Sequence, residues 1–567
     1  MKNTKLSAIA LLSAPVALGV LLLLGGPGAP QPEATNSAAT ASYIVQGAGL
    51  EIARALVENV GGTVTHELGI IRSVAADLTP KQLMALQGTE YGLRVSGNHP
   101  AELTGKPPKD DNGGNPATIV ETFYPTHLGA DLLHAEGIDG TGVTIADIDS
   151  GIFNDNGLTK NAEGFSRVLE AYNAIEDSYN TEEDPFGHGS HVTSVAVSSR
   201  QADSGSYNGM APSADLVEIQ AFDSTGRSTY ADVIRGIDWM VANKDTYGIR
   251  VLNCSFSAEP QSYYWDDPLN QAVMAAWQAG IVVVASAGNR GPNAMSIGVP
   301  GNVPYIITVG AMTDNFTPED MDDDVLASFS SAGPTVEGFV KPDVVAPGGH
   351  VLGLMKNTAQ IAVDHPEFHD GGYYFNMSGT SQATAFVSGI AALMLQADPT
   401  LTPDEVKYRL MDTAHPAKWS SGGYAYTVFQ QGAGLVDAYD AVHSTSLGQA
   451  HSSMDIDLDL AGVQHYGGPA DAYEQGKGKS LTWIFFLRDA DGEPIEDDGF
   501  LWSDEYVLED GFLWSDGFLW SDGFLWSDGF LWSDGFFWSD GFLWSDGFLW
   551  SDFSTEALFT ESWVPQQ

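Results

Sequence analysis

Residues 376–385 read Asn-Met-Ser-Gly-Thr-Ser-Gln-Ala-Thr-Ala, and residues 386–395 read Phe-Val-Ser-Gly-Ile-Ala-Ala-Leu-Met-Leu. Small residues that lead directly into an apolar run predict a tight turn followed by a buried helix. The first turn of a helix has backbone N–H groups without intrahelical partners and the positive end of the helix dipole, and both favour a negative charge. Ser381 therefore has two interpretations. It is either an ordinary helix cap or a nucleophile whose own amide helps to hold an oxyanion.

The composition limits the function classes that fit. The chain has 74 acidic and 24 basic residues among 567, which gives a net charge of −50, and its length allows roughly three or four domains. Because contacts to phosphate need Lys and Arg, this balance argues against nucleic acid as a partner. The single cysteine, Cys254, excludes an internal disulfide and a cysteine-based zinc cluster, and its apolar neighbours predict a buried structural thiol.

The N-terminus carries Lys2 and Lys5, followed by an apolar run over residues 6–24. This pattern is typical of a secretory leader, and the run is also long enough to remain as an anchor. We therefore predict that residues 1–41 are a signal peptide or N-terminal anchor with a short linker. The protein is then secreted, or periplasmic or at the cell surface if the leader is retained, and it meets a membrane only through that leader.

Residues 42–98 mix strand-like and helix-like segments. Strand patterns occur at 43–45, 70–74 and 92–95, and helical patterns occur at 50–60 and from Thr79-Pro80 onward. These patterns predict a small α+β unit. Residues 99–118 are rich in Pro, Gly, Asn, Lys and Asp, which predicts an exposed linker.

Residues 119–443 alternate apolar strand-like runs with helical patterns. The strand candidates are 143–148, 216–221, 251–256, 281–285 and 306–309, and the helix candidates are 191–199, 230–243, 268–279 and 381–396. Such alternation predicts an α/β fold of three layers, with a mostly parallel sheet covered by helices on both faces. Ligands in this architecture bind at the carboxyl ends of the strands.

Four polar residues occupy strand ends or helix starts in this region. Asp149 and Asn289 follow predicted strands, while His188 lies between two glycines at a predicted helix start. Each fits a turn or a cap when taken alone. With Ser381 they supply a nucleophile, its base, a carboxylate to hold the base and an amide donor for an oxyanion. His191, one turn after His188, is predicted to be structural, since a zinc site with this spacing has no third ligand nearby.

Three motifs then point to a family. Residues 149–152 (Asp-Ser-Gly-Ile), 188–192 (His-Gly-Ser-His-Val) and 379–384 (Gly-Thr-Ser-Gln-Ala-Thr) resemble the signatures of the subtilisin-like (subtilase, S8) serine peptidases, in the chain order Asp, His, Ser. Supporting matches lie at 285–289, 329–334, 341–348 and 431–438. The resemblance covers roughly residues 120–443.

The resemblance implies a subtilisin-like fold and a serine-type endopeptidase that acts on proteins or peptides. Ser381 would attack the scissile carbonyl, His188 would accept and return its proton, and Asp149 would fix the imidazole tautomer. The amide of Ser381 and the side chain of Asn289 would form the oxyanion hole. The family comparison also selects Asp149 over Asp147, and the chemistry needs no cofactor.

The same resemblance implies the substrate-binding residues. Two segments would form the wall of the primary specificity pocket: Ser255, Phe256 and Ser257 in one, and Ser286, Ala287 and Gly288 in the other. Gly226 and Arg227 match an edge that binds the substrate as an added strand, a mode driven by main-chain hydrogen bonds.

The chain also departs from the family pattern. The family usually has Thr at Ser190, Met at Gln382, Pro at Ala385 and Gly at Ser257. None of these departures removes a catalytic group, so an active enzyme is expected. Ser257 adds a side chain to the pocket wall, which puts the usual broad apolar preference in doubt.

Residues 42–98 resemble the inhibitory propeptides of this family. The resemblance implies a unit that assists folding and acts as an intramolecular inhibitor. It would block the cleft until the enzyme cuts the chain somewhere in residues 99–118.

Many relatives bind calcium, and the loop 314–324 offers the oxygen ligands that calcium prefers. The candidate ligands are Asp314, Asp320, Asp322 and Asp324. A solvated acidic loop explains the same residues, so both interpretations stay open.

The C-terminal part comprises an acidic, weakly patterned region at 444–498 and a repeat tail at 499–567. The repeat Gly-Phe-Leu/Phe-Trp-Ser-Asp runs in seven tandem copies from residue 511 to 552. It fits either stacked short strands or a low-complexity tail without a fixed fold. The tail also suggests an alternative function, a catalytically silent subtilase scaffold that presents an aromatic binding or adhesion surface. The intact Asp-His-Ser set favours the peptidase.

Overall fold

The computed structural model describes residues 39–47, 49–89, 91–103, 122–179, 183–315, 317, 323–419, 423–451, 453–477, 480–488 and 518–519. The contact pattern separates residues 1–39 from residues 40–567, and the described helices and strands all lie in the second unit. Almost all of the predicted leader, most of the predicted linker and all but two residues of the predicted repeat tail lie outside the described residues. Among the helices that are described, none has the length and apolar composition that a membrane crossing requires.

A four-stranded antiparallel sheet with two helices begins the described chain. Its elements are β1 (Ala41–Gln46), α1 (Leu50–Asn59), β2 (Thr63–Leu68), β3 (Ser73–Leu78), α2 (Pro80–Gln87) and β4 (Arg94–Gly97), with the strand order β2-β3-β1-β4. Val45, Val74 and Leu86 belong to a hydrophobic core of its own. Helix α2 begins with a capping box, in which the Thr79 hydroxyl accepts from the N–H of Gln82 and the Gln82 side chain accepts from the N–H of Thr79.

The rest of the unit contains the following elements in chain order. The first group is β5 (Pro100–Leu103), α3 (Tyr124–His127), α4 (Ala130–Ala135), β6 (Thr144–Asp149), α5 (Asn156–Thr159), β7 (Val168–Asn173), α6 (His188–Val197), β8 (Asp215–Gln220), β9 (Arg227–Thr229), α7 (Tyr230–Tyr247), β10 (Ile249–Cys254), β11 (Phe256–Ser257), α8 (Pro268–Gln278), β12 (Val282–Ser286), β13 (Ile307–Thr313) and β14 (Val325–Leu326). The second group is β15 (Val344–Pro347), β16 (Val351–Leu354), α9 (Gln360–Asp364), β17 (Tyr374–Met377), α10 (Thr380–Ala397), α11 (Pro403–Asp412), α12 (Val428–Gln431), α13 (Ala438–His443), α14 (Ile456–Leu460), β18 (Tyr466–Gly467), β19 (Ala470–Lys477), β20 (Ser480–Leu487) and β21 (Phe518–Leu519).

The central sheet has eight strands and is parallel except at one edge, as predicted. Its order is β14-β13-β12-β10-β6-β8-β7, with β15 also paired to β13, and β14 is the antiparallel strand. In this register Asp147 of β6 lies opposite Asn253 of β10 and Glu218 of β8. The carboxyl ends of β6, β10 and β12 therefore meet at one edge of the sheet.

Helices cover both faces of this sheet. Successive side chains of β6 point to opposite faces: Asp147 accepts a hydrogen bond from Thr193 of α6, whereas Ile148 faces α7 at Gly236. Helix α10 packs against α6 on the first side, and its residues 380–395 are all buried. The three-layer prediction is therefore confirmed, and α10 is apolar nearly all round because protein surrounds it.

Strand β5 corrects one expectation. Residues 100–103 fall in the segment predicted as an exposed linker, yet they form a strand between β9 and β11. Leu103 lies opposite Phe256, and Glu102 lies opposite Ser257 and Arg227. Main-chain pairing with two strands from a distant part of the chain outweighs the local loop composition here. Pro100 is tolerated because it is the first residue of the strand.

The acidic region after residue 443 corrects a second expectation. The sequence predicts a weakly patterned region, but its described residues form α14 and three strands, and Met454 and Tyr466 belong to the main hydrophobic core. Asp459 is buried because the hydroxyls of Tyr264 and Tyr305 donate to it at 2.6 and 3.0 Å. Such a carboxylate carries no apolar signal in the sequence. Strand β21, from the repeat that starts at residue 517, pairs antiparallel with β18.

Candidate active site

Asp149 and His188 form a direct pair at the carboxyl edge of the sheet. Asp149 is the last residue of β6 and His188 the first residue of α6, and both are fully buried. Nδ1 of His188 lies 2.8 Å from Oδ1 and 2.9 Å from Oδ2 of Asp149. A carboxylate accepts only, so Nδ1 carries the proton and Nε2 is left as an acceptor. Among the described residues, Nε2 of His188 has no hydrogen-bond partner.

Burial lowers the pKa of His188, and the opposing attraction of Asp149, with its hydrogen bond, outweighs burial, so that this pKa lies above its ordinary value. The imidazole is therefore a stronger base than a free histidine would be. This strength suits a group that must accept a proton and then hold it briefly.

Ser381 is the second residue of α10 and is buried. Its Oγ donates to the carbonyl of Ser255 at 2.9 Å, and Oγ of Ser255 donates back to the carbonyl of Ser381 at 3.0 Å. The hydroxyl of Ser381 therefore does not donate to His188 in this structure. The starts of α6 and α10 are nevertheless adjacent, because Nε2 of Gln382 lies 3.3 Å from Nδ1 of His191.

Asn289 follows β12 and is held by the start of α10. Its Oδ1 accepts from both the N–H and the hydroxyl of Thr380, at 3.0 and 2.9 Å. Because the oxygen end of the amide is fixed in this way, the NH₂ end is the part left to donate elsewhere. The adjacent Gly288 has a φ of 102°, a backbone conformation that favours glycine, and its N–H donates to Thr380.

A network of buried carboxyl groups adjoins the Asp149–His188 pair. Asp147 accepts from Nδ2 of Asn253 at 2.7 Å and from the hydroxyl of Thr193 at 2.8 Å. Burial and the nearby charge of Asp149 raise the pKa of Asp147 to about 8. Burial likewise raises the pKa of Glu218, which lies opposite Asp147. Burial therefore favours the neutral form of both Asp147 and Glu218.

Asp184 is a site residue that sequence reasoning missed. Its carboxylate accepts from the N–H groups of Gly187 and Ser190, at 2.6 and 2.8 Å, and from the hydroxyl of Ser150 at 2.9 Å. It thereby fixes the first turn of α6 against the residue that follows Asp149. The signal that could have revealed it is an Asp shortly before a helix start.

His191 and Ser190 form hydrogen bonds with backbone groups near the Asp149–His188 pair. Nε2 of His191 lies 3.2 and 3.0 Å from the backbone carbonyls of Val351 and Phe375, and burial, followed by the charge of His188, lowers its pKa to about 3. His191 is therefore neutral and held by backbone. The hydroxyl of Ser190 accepts from the N–H of Phe153 at 3.0 Å.

Four of the residues expected to bind substrate contact strand β5. Phe256 and Ser257 pair with it from one side and Arg227 from the other, while the carbonyl of Gly226 accepts from the N–H of Leu103 at 3.3 Å. In the second wall segment, Oγ of Ser286 donates to the carbonyl of Phe256 at 2.8 Å, and Ala287 and Gly288 follow along the chain. The structure thus brings the two predicted wall segments together beside Ser381.

The structure describes two of the four predicted calcium ligands. Asp314 and Asp324 are described, whereas Asp320 and Asp322 lie outside the described residues. The part of the acidic loop that the structure describes does not gather three ligands, since the only His, Cys, Asp or Glu trio found within 4.8 Å among the described residues is His415, Asp437 and Asp440. Calcium binding by the loop stays a prediction.

Comparisons with known proteins agree with this geometry. The family described as the Subtilase family, peptidase S8, matches residues 140–434. The chain is 38% identical over 322 residues to serine protease AprX of Bacillus subtilis (strain 168), which covers 56% of this chain and 70% of that protein. It is 29% identical over 389 residues to subtilisin E of the same strain, covering 68% of this chain and 84% of that protein.

A similar solved structure is fervidolysin from Fervidobacterium pennivorans, described as a keratinolytic enzyme related to subtilisin. The TM-score is 0.56 at 21% sequence identity, over 80% of this chain and 69% of that chain. At this identity the likeness shows that the fold is shared.

Proposed function

The chain belongs to the subtilase family and is a serine-type endopeptidase, and on that premise we propose that Asp149, His188 and Ser381 are its catalytic triad. The observation that carries this proposal is the buried contact of Nδ1 of His188 with both carboxylate oxygens of Asp149, next to the start of α10, whose second residue is Ser381. Its substrates are proteins or peptides.

The reaction begins with rotation of the Ser381 side chain, which moves its hydroxyl from the Ser255 carbonyl to Nε2 of His188. Such hydrogen bonds often form only once substrate is bound. Oγ then attacks the scissile carbonyl as His188 takes its proton, and Asp149 stabilises the imidazolium. The imidazolium returns the proton to the leaving amine, which leaves an acyl group on Ser381. Water hydrolyses this ester by the same steps.

The oxyanion of each tetrahedral intermediate would receive hydrogen bonds from the NH₂ of Asn289 and the amide of Ser381. Thr380 supports this role for Asn289, because its two donors hold the amide oxygen and leave the NH₂ as the end that can donate. A donor held in place before the reaction needs no reorganisation when charge develops.

We also propose that residues 42–98 act with β5 as an intramolecular inhibitor. Residues 42–98 contact α7 and the start of α8. His66 lies 3.0 Å from Asp232, the N–H of Gly69 donates to Asp238 at 2.7 Å, and Arg94 lies 2.8 Å from Asp266 near α8. These contacts support a position of β5 between β9 and β11, where a substrate strand would pair.

The register of β5 supports a first cut close behind it. Leu103 lies opposite Phe256, so one further step of the same antiparallel pairing leads to Ser255, which exchanges two hydrogen bonds with Ser381. We therefore expect self-cleavage at the bond after Thr104 or next to it, within the predicted 99–118 segment. Secretion through residues 1–41 completes the proposal and rests on the sequence pattern.

A fluorophosphonate probe tests the catalytic assignment. The mature protein should be labelled and the Ser381→Ala variant should not, while a known serine hydrolase labelled in parallel serves as the control. Failure to label the wild type beside a labelled control would favour the silent scaffold with an aromatic tail. For self-cleavage, the Ser381→Ala precursor should remain uncut when purified alone, and N-terminal sequencing of the wild type should place the new terminus after residue 103.

A further inference from the structure

A small recess lies beside the start of α10, between backbone segments from three parts of the chain. Ala258 and Val299 exchange two N–H to carbonyl hydrogen bonds, each 2.9 Å long, and the N–H of Gly298 donates to the carbonyl of Ala287 at 3.0 Å. These bonds hold the segment after β11, the segment after β12 and residues 298–299 around one space. Because the bonds are backbone to backbone, the size of the recess is set mainly by the side chains that enter it.

Ser257 fills this recess. A Cβ placed on Gly298 would lie only 1.8 Å from Oγ of Ser257, and a Cβ placed on Gly288 would lie 3.2 Å from the same atom. The CH₂OH group of Ser257 therefore lies between the two glycines. Oγ of Ser331 borders the same space, 3.1 Å from a Cβ placed on Gly288, but Ser257 is the side chain that reaches both glycines, and glycine at position 257 would enlarge the recess.

Strand β5 shows which substrate residue would meet the recess. Ser257 lies opposite Glu102 and Phe256 opposite Leu103, so the next substrate residue comes opposite Ser255 and beside Ser381. This is the residue whose carbonyl Ser381 attacks. Side chains two positions apart on a strand share a face, so the substrate residue before the cut lies on the same face as the residue that pairs with Ser257, and Ser257 limits the space available on that face.

We propose that Ser257 is a specificity-determining residue that restricts the residue before the scissile bond to short side chains such as Ala, Ser or Thr. The proposal rests on the proposed peptidase function and names the substrate class of that site. The chain's own residue after Leu103 is Thr104, which has a short side chain of the expected kind. Leu, Phe and Tyr are excluded because the CH₂OH group occupies the space that they require.

The test is a set of internally quenched peptides that differ only at the residue before the cut, with Ala, Thr, Leu or Phe there. The protein is expressed as the full chain, and kcat/KM is measured for the wild type, Ser257→Gly and Ser257→Ala. Ser206→Gly, an equivalent substitution in a loop outside the cleft, is the matched control. The fluorophosphonate labelling rate, which needs no peptide side chain, reports whether the triad is intact in each variant.

The wild type should cleave the Ala and Thr peptides faster than the Phe peptide. Ser257→Gly should raise the ratio of kcat/KM for Phe to that for Ala by about 10- to 100-fold, the range that small changes in a hydrophobic pocket produce. Ser257→Ala should fall between the two, and Ser206→Gly should match the wild type. A wild type that cleaves Phe as well as Ala, or an unchanged ratio in a fully labelled Ser257→Gly, overturns the proposal. Absent labelling of the wild type would instead refute the proposed function.

Discussion

Replacing Asp149 with Asn is the sharpest perturbation of the proposed triad, because the outcome depends on which way the new amide turns. Oδ1 of Asp149 accepts from the N–H of Ser150 at 2.8 Å, as well as from His188. An Asn at 149 would keep its oxygen at this N–H group. Its NH₂ would then take the place of Oδ2, 2.9 Å from Nδ1 of His188.

Two N–H groups cannot face each other, so His188 would move its proton from Nδ1 to Nε2. Nε2 would then be a donor and could not accept the proton of Ser381. We expect kcat to fall by about 10⁴-fold, the size of effect known for a wrong histidine tautomer in a serine protease. That loss corresponds to about 5 kcal/mol in the activation barrier.

The assay is kcat/KM on a quenched peptide with Ala before the cut, together with circular dichroism to show that the variant is folded. Asp147→Asn is the matched control, since Asp147 is also buried, lies two residues away on the same strand and contacts Thr193 and Asn253 rather than His188. Asp147→Asn should cost far less activity. If Asp149→Asn stays within tenfold of the wild type, or if Asp147→Asn loses more, the assignment of Asp149 is wrong.

Three further changes have measurable outcomes, two at the proposed active site and one at a buried cluster of charged residues. Asn289→Ala should lower kcat by about 10²- to 10³-fold with little change in KM, since its NH₂ acts on the oxyanion, and an unchanged kcat would remove it from the site. Because His188 must be neutral to accept a proton and its pKa is raised, the acid limb of kcat/KM against pH should lie above about pH 6.5, the ordinary histidine value. An acid limb below that value would contradict this. Asp343→Asn should lower the free energy of unfolding by about 3–5 kcal/mol, measured by urea denaturation in the Ser381→Ala background, because Asp343 lies 2.7 and 3.1 Å from the buried Lys341 and Lys407. A loss below about 1 kcal/mol would show that the cluster is not coupled.

The positions of the proposed catalytic residues were predictable because the signals are local. Asp149 ends one buried strand and Asn289 follows another, while His188 and Ser381 are the first and second residues of their helices, beside small residues. A parallel sheet gathers such positions at one edge without further information. What the sequence could not show is the side-chain arrangement, such as the hydroxyl of Ser381 directed at Ser255 rather than at His188.

The features that were missed depend on contacts between distant parts of the chain. Strand β5 is a strand only because residues 227–229 and 256–257 pair with it. Asp459 is buried because the hydroxyls of Tyr264 and Tyr305 donate to it. Local composition assigns such residues to surfaces and loops, and only the folded partner changes that assignment.

The antiparallel pairing of β5 with β9 and β11 also affects when the enzyme becomes active after cleavage. While the chain is continuous, a strand tethered next to its binding site competes with substrate at an effective concentration on the order of millimolar. One cut after β5 ends the covalent tether but leaves the contacts of His66, Gly69 and Arg94 with the catalytic part in place. Cleavage and activity would therefore be separate events. The delay between them would be set by how fast the cut segment dissociates or is itself digested.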